Sequence, residues 1–450
     1  MPKITVDFSK NLGKIKAMHA VGQPPFYGMY FEHFHYLTDA HIPYSRLHDT
    51  GGAYGRSVFV DIPNLFRDFD ADENDPASYD FAFTDVLLSE LMKAGVKPYF
   101  RLGVTIENYP HIRAYRIYPP KDAAKWARVC EHVIRHYNEG WADGFRFGIE
   151  YWEVWNEPDS KTERGSMMWL GTEEEYFDLY AVTAKHLKKC FGDAIKIGGF
   201  ASCGFYAVTD PEILAAEKNG TLADLPEAKQ NLIYFKEYFE RFLAFIKAEN
   251  APIDFFSWHS YDPVGNTLVH QAYVEKTLAD MGYGDIEIHL NEWNTHHDVP
   301  SMGTAAAAAS SAAMMCAMQD TKMTMMNFYD ARLGLSNYCG LFDPRWRRPF
   351  VTYDAFLTFG ELYALGTQAE VKGATEDLYA TAATDGKENA ILLANIGEAK
   401  EISLNLVGKY YAYAATDDTR MKLAEIDPAA FTMEKDTTVF FSTKELVIPE

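Results

Sequence analysis

From about residue 25 to about residue 365, short β-rich runs alternate with longer amphipathic helical patterns. Strand and helix in regular turn call for a parallel sheet, because each helix must carry the chain back to the starting end of the next strand. The runs read as strands over 25–31, 43–48, 96–102, 149–155, 195–200, 253–259, 285–291 and 323–329. Helical periodicity fills 81–94, 122–138, 172–190, 231–249, 268–281 and 303–321, with 352–365 after the last strand. Eight such units predict an α/β fold, a (β/α)8 barrel with insertions over 25–365. The first two strands lie about a dozen residues apart, near the lower limit for a crossover, so the first is the weakest assignment.

After Gly366 the pattern changes to period two in "ILLANIG", "EISLNLVGKYYAYAA", "TTVFFS" and "ELVIPE". That texture predicts an antiparallel β-sandwich over 366–450, with "KITVDFS" in the segment 1–24 offering it a further strand. No repeat or low-complexity linker separates the two units, so they are expected to pack closely. The methionine-rich run "AAMMCAMQDTKMTMMNFY" falls on a helix and the strand after it, where it reads as core filling.

Composition excludes several classes of function. Hydrophobic residues make up 48% and charged residues 24%, as in an ordinary globular protein and unlike a disordered or fibrous one. Net charge is −22, and "RWRRP" at 345–349 is too short to track a phosphate backbone, so nucleic acid is not an expected partner. The five cysteines are scattered without a CxxC pair, which suits reduced thiols and argues against disulfides or a zinc knuckle. "MPKITVDFSKNLGK" lacks the apolar centre of a signal peptide, and no run of about 18 apolar residues occurs. The expectation is a cytoplasmic protein with no membrane partner, its self-association left open.

A barrel of this kind places reactive groups at the C-terminal ends of its strands. The fourth strand ends in "WEVWNEPDS" with Asn156 and Glu157, the sixth in "SWHSYD" with His259 and Tyr261, and the seventh in "HLNEWN" with Asn291, Glu292 and Asn294. Glu157 and Glu292 lie three strand–helix units apart, which sets them across the mouth from each other. Two facing carboxyls about 5–5.5 Å apart are what retaining glycoside hydrolysis requires, one a proton donor and one an ionised nucleophile.

These segments resemble a known family. "WEVWNEPD" looks like the acid/base segment of the clan A glycoside hydrolases, and "IHLNEWN" looks like their nucleophile segment on the seventh strand. The wider resemblance, over about 25–365, is to glycoside hydrolase family 39, the β-xylosidase and α-L-iduronidase family. It includes "SRLHD", "VKPYFRLG", "FSWHSYD" and "RPFVTYDAFLTFGELYALG". The resemblance implies Glu157 as acid/base, Glu292 as nucleophile, Asn156 on the sugar 2-hydroxyl, and Arg46 and Tyr261 holding Glu292, with His259 on the same wall. His48, Trp293, Glu32, His33 and Tyr329 complete the expected substrate-facing set. "GMYFEHFHY" and "NEWN" look more like the family 51 α-L-arabinofuranosidases, and "NFYDAR" stands on the eighth strand where a Trp is expected.

Plainer roles compete at each position. Strict alternation puts Glu153, Trp155 and Glu157 on one face and Asn156 on the other, so Asn156 and Glu157 share the pocket only if the strand end twists or bulges. Glu153 is expected to be a buried structural acid paired with Arg101 or Arg46, since an unpaired buried carboxylate is too costly. The pairs His33/His35 and His296/His297 with Asp298 suggest a metal, but loop pairs lack the third ligand and the supporting shell that zinc needs. Glu32, His33 and His35 are instead expected to line the sugar pocket or pack beneath it. "GGAYG" at 51–55 lacks the Lys and the helix of a phosphate loop and reads as a turn over the pocket. Tyr329 and Asp330, at the end of the eighth strand, are placed to reach the mouth.

The resulting expectation is a retaining exo-glycosidase acting on a terminal pentose, xylose before arabinofuranose, with no cofactor. Uronic-acid substrates stay open, since Arg113, Arg116, Arg332 and Arg345 cannot be located from sequence. A barrel that binds a glycan without cleaving it is the rival from another class.

Overall fold

The computed structural model describes residues 3–48, 50–52, 55–58, 60–105, 117–160, 168–334 and 338–450. Eight parallel strands close into a barrel: Ala17–Gly22, Tyr44–Leu47, Lys97–Leu102, Tyr151–Val154, Lys196–Ser202, Phe255–Ser260, Glu287–Trp293 and Met325–Phe328. Closure is made by the eighth strand beside the first, with Met325 opposite Ala17 and Phe328 opposite Val21.

The first strand is the one misplaced by sequence reading. The segment 25–31 is a loop closed by a Tyr27–Tyr30 bridge, with Gly28 at φ +60°. The strand lies earlier, in "AMHAVG", whose every residue is buried. A strand buried on both faces shows no alternation, and this one has small residues instead of the β-branched run that advertises a core strand. Moving it back also lengthens the first crossover, which now holds the short helix Phe34–Asp39.

The other end of the chain forms a nine-stranded sheet. Its order is Lys422–Ala424, Tyr411–Ala415, Thr437–Ser442, Asn389–Asn395, Leu378–Thr384, Thr367–Lys372, Lys3–Lys14, Lys400–Leu404 and Phe431–Met433. All neighbours are antiparallel except Lys3–Lys14 with Lys400–Leu404. The "ELVIPE" tail is not a strand; it is held by contacts such as the Tyr413 hydroxyl accepting from Leu446 N–H at 2.9 Å.

Alternation along Asn389–Asn395 joins the two units. Ala390, Leu392 and Ala394 pack into the barrel's core cluster, and Ile391 and Leu393 into the sheet's own. The helix Ala305–Gln319 lies at that junction and is buried nearly all round, which accounts for its Ala and Met content. Met314, Met315, Met318, Met323, Met325 and Met326 are all buried there. All five thiols are free. Among the described residues, no helix is long and apolar enough to cross a membrane.

Candidate active site

One buried guanidinium organises the barrel mouth. Arg46, from the second strand, donates through Nε and Nη2 to Glu153 Oε2 at 2.8 and 2.6 Å, and through Nη1 to Glu292 Oε1 at 2.8 Å. Its Nη2 also reaches Asn156 Oδ1 at 2.7 Å. Burial opposes the charge on Arg46, but Glu153 and Glu292 outweigh it and hold its proton affinity above the usual value. Glu153 is therefore a structural acid paired with Arg46, while Arg101 pairs with Asp61 at 2.7 Å. The other oxygen of Glu153 accepts from Ser257 Oγ at 2.6 Å and from Asn291 Nδ2, so this fully buried carboxylate is satisfied.

Glu292 and Glu157 stand above that layer. Tyr261 donates its hydroxyl to Glu292 Oε2 at 2.7 Å, opposite the oxygen that Arg46 takes. Burial and the Glu292 charge push the Tyr261 phenol well above its usual value, so it stays a donor. His259 Nδ1 lies 2.7 Å from Glu157 Oε1 and 3.6 Å from Glu292 Oε2. Burial would drive this imidazole to its neutral form; the two carboxylates reverse that, and its pKa is raised. His48 Nε2, 3.6 Å from Glu292 Oε1, is the opposite case: burial, then Arg46 and Arg101, hold it well below the usual value and neutral.

One oxygen from each of Glu157 and Glu292, together with a His259 nitrogen, lie within 4.8 Å of one another. Glu157 is the more open of the two glutamates, its side chain 19% exposed against 7% for Glu292. These three groups also form the one set near the mouth, among the described residues, that could hold a metal ion. Arg46 already sits 2.8 Å from Glu292, and a second cation there would meet its repulsion.

Backbone geometry explains how consecutive residues share the pocket. The fourth strand ends at Val154, and Trp155 turns into the left-handed region at φ +74°. That turn sends its indole outward, against Trp126 and Trp169, while Asn156 faces Arg46 and Glu157, at φ +45°, faces His259. In the seventh strand the register with the sixth shifts between Leu290 and Glu292, which lets Asn291 and Glu292 both point inward.

A family model for the glycosyl hydrolases family 39 matches residues 56–287, just over half of the 450-residue chain. The chain belongs to that family. The matched span holds Glu157 and stops short of Glu292. Two curated relatives are β-xylosidases. That of Geobacillus stearothermophilus is 23% identical over 288 residues, 57% of this chain and 49% of the relative. That of Caldicellulosiruptor saccharolyticus is 26% identical over 256 residues, 50% of this chain and 43% of the relative. The match thus spans about half the length of these relatives.

Solved structures share the fold across both units. A glucosidase from Croceicoccus marinus superposes with a TM-score of 0.74 at 20% identity, covering 98% of each chain. A monomeric β-xylosidase from Caulobacter crescentus CB15 gives 0.68 at 14% identity, covering 98% of this chain and 99% of the other.

In this family 39 chain, Arg46, His48, Asn156, Glu157, His259, Tyr261 and Glu292 come together, and the remaining candidates divide. Trp293 is fully buried on the other face of its strand, its ring 5.0 Å from Phe328 and 6.2 Å from Phe356, so it does not line the mouth. His33 Nε2 bonds the Arg347 carbonyl at 3.0 Å and its ring packs near Tyr36 and Phe342; Glu32 is exposed. None of the hydrogen bonds or ion pairs described for the two glutamates reaches either residue. Tyr329 does adjoin the site, its ring 6.3 Å from Tyr261 and 5.1 Å from Tyr338. Arg332 sits over Tyr329 at 5.6 Å and donates to buried Asp330 at 2.7 Å.

Asn294 pins the loop beyond the eighth strand through the Tyr329 and Cys339 carbonyls, at 2.8 and 3.0 Å. Arg345 is exposed, and Arg113 and Arg116 lie outside the described residues. Of "GGAYG", the glycine pair Gly51–Gly52 forms an antiparallel pair with Gly55–Val58, and residues 53 and 54 lie outside the described set. Sequence reading missed Tyr338, whose ring packs at a tilt 4.8 Å from that of Tyr261, and left Asp159 unassigned although it stands two positions after Glu157.

Proposed function

We propose that the chain is a retaining glycosidase that releases a terminal pentose, xylose first, from small glycosides. The observation that carries this reading is the spacing: oxygens of Glu157 and Glu292 within 4.8 Å of each other, at the mouth of a closed barrel. That spacing suits the separation of about 5–5.5 Å between a nucleophile and an acid better than the about 6.5–9.5 Å of inverting enzymes, which seat a water between their carboxyls.

The environments divide the labour. Glu292 takes a cationic donor on one oxygen and a phenol on the other, which fixes its orientation and suits it to the part of nucleophile. Glu157, the more open, protonates the departing glycosidic oxygen and then, as a carboxylate, draws the proton from the water that releases the sugar. Arginine can only donate, so it fixes Asn156 Oδ1 and leaves the amide NH2 for the sugar 2-hydroxyl. The β-xylosidase relatives favour xylose over arabinofuranose. A uronic-acid substrate is less well supported, since Arg332 is already neutralised by Asp330.

The test is a screen of aryl xylosides, arabinofuranosides and uronides, with and without a chelator, followed by Glu157→Gln and Glu292→Gln. Glu292→Gln should lose about 10^4-fold or more in kcat, and a 2-fluoro glycoside should label Glu292 in the wild type, as peptide mass would show. A label on another residue, turnover by Glu292→Gln near the wild-type rate, or activity abolished by the chelator would overturn the mechanism. Binding without turnover of any glycoside would support the glycan-binding rival. Xylose as the sole product from short xylo-oligosaccharides is the expected sign of exo action.

A further inference from the structure

We propose that Asp159 is a positioning residue for Glu157, its buried carboxyl fastening the turn that carries Glu157 to the end of the fifth barrel strand. This rests on the reading of Glu157 as acid/base. Asp159 is fully buried. Its Oδ2 accepts from Ser202 Oγ at 2.7 Å, and both oxygens lie 3.2 Å from the Cys203 N–H. On the same turn, Glu157 N–H donates to the Ala201 carbonyl at 3.0 Å. Three successive residues of one strand end, 201–203, therefore hold the turn at both Glu157 and Asp159.

The link continues to the other glutamate. Ala201 N–H donates to Ser257 Oγ at 3.0 Å, and Ser257 donates to Glu153, which shares Arg46 with Glu292. Asp159 thus ends a hydrogen-bonded path that spans the site.

Asp159 is also chemically unusual. Among the described residues, no lysine, arginine or histidine pairs with it. It faces Glu157 from its own turn, the Cys203 thiol from the strand end, Tyr176 from the helix Glu173–Phe191, and Tyr234 and Tyr238 from the helix Glu227–Ala248. Burial pushes its carboxyl up to about 7; the Ser202 bond opposes this, and the Glu157 charge adds to it. Asp159 and Glu157 therefore feel each other's charge, and the negative charge on Asp159 is one that a variant can remove without touching Glu157.

The experiment compares Asp159→Ala, Asp159→Asn and Ser202→Ala with the wild type on two glycosides of the accepted sugar. One carries a dinitrophenyl leaving group that needs no proton; the other carries an alkyl group that does. Asp159→Ala should lose roughly 10–100-fold in kcat/KM on the alkyl glycoside and less than about threefold on the dinitrophenyl one. Asp159→Asn, which keeps an acceptor oxygen and removes the charge, should move the alkaline limb of kcat/KM to lower pH. Equal losses on both glycosides, or an alkaline limb that stays or rises, would overturn the proposal. If Asp159→Ala does not fold, Ser202→Ala carries the leaving-group comparison. Glu157→Gln is run beside them: if it fails to discriminate between the glycosides, the reading of Glu157 has failed, and if it alone discriminates, only the inference about Asp159 falls.

Discussion

His259 sets the charge balance between the two glutamates, because one nitrogen lies 2.7 Å from Glu157 and 3.6 Å from Glu292. Its raised pKa means a cation persists there at pH values where an ordinary histidine has lost its proton. That cation is a favourable neighbour for negative charge on either side of the mouth. His259→Asn, which removes that charge, should move both limbs of the pH–kcat/KM profile upward. The sign is opposite to that for Asp159→Asn, where only the alkaline limb moves, and downward. A profile that moved on one limb alone would show that His259 acts on one glutamate, not on the pair.

Alternation in a strand admits every second residue to a pocket, yet this site uses neighbours. Trp155 at φ +74°, the register shift before Glu292 and Ala201 at φ +54° each break the period just where a functional group is needed. Such breaks leave little trace in sequence. "WEVWNEPD" shows which residue types are present and that both Asn156 and Glu157 cannot face inward on a flat strand; it does not show which bond rotates. The same limit hid "AMHAVG", a barrel strand of small residues without alternation, whereas the equally buried sheet strands were legible in "ILLANIG" and "TTVFFS" from their branched and aromatic side chains. Trp293 failed for a related reason: its position beside Glu292 put it on the core side of the strand. Ala201 offers the test at this scale. A β-branched side chain is a steric outlier at positive φ, so Ala201→Val should cost about 1–3 kcal/mol in urea unfolding and displace the carbonyl that Glu157 N–H uses. Ala201→Gly, free of that strain, should stay within about 1 kcal/mol of the wild type. Equal tolerance of both would mean the left-handed turn is not required.

The barrel and the sheet are bound by the order of the chain as well as by packing. Lys3–Lys14 enters the sheet before the barrel begins, and Thr367–Lys372 pairs with it after the barrel closes, so the sheet is complete only when both ends of the barrel are in place. One polar tie at this junction is Asp354, on the last barrel helix. Only 1% of its side chain is exposed, and its carboxylate accepts from Arg420 Nε at 2.9 Å, from Nη2 at 2.6 Å and from Met421 N–H at 2.7 Å. Burial nonetheless leaves the Asp354 pKa raised, which means the folded protein already binds this proton more tightly than the unfolded chain. Arg420→Ala removes the cation and raises that affinity further, so the folded state loses more stability as pH climbs past the unfolded carboxyl pKa. The expected loss is roughly 1–3 kcal/mol at pH 8, between the exposed and buried limits for such a pair, and distinctly less at pH 5, where the carboxyl can take a proton. Urea midpoints at the two pH values measure it, and Asp354→Asn in the Arg420→Ala background should recover most of the loss at pH 8. Among the described residues, Asp354 bonds Arg420 and Met421 and not the Arg46 cluster, so kcat/KM of the folded variant should match the wild type; an equal loss of stability at both pH values would mean that Asp354 finds water or another cation once Arg420 is gone.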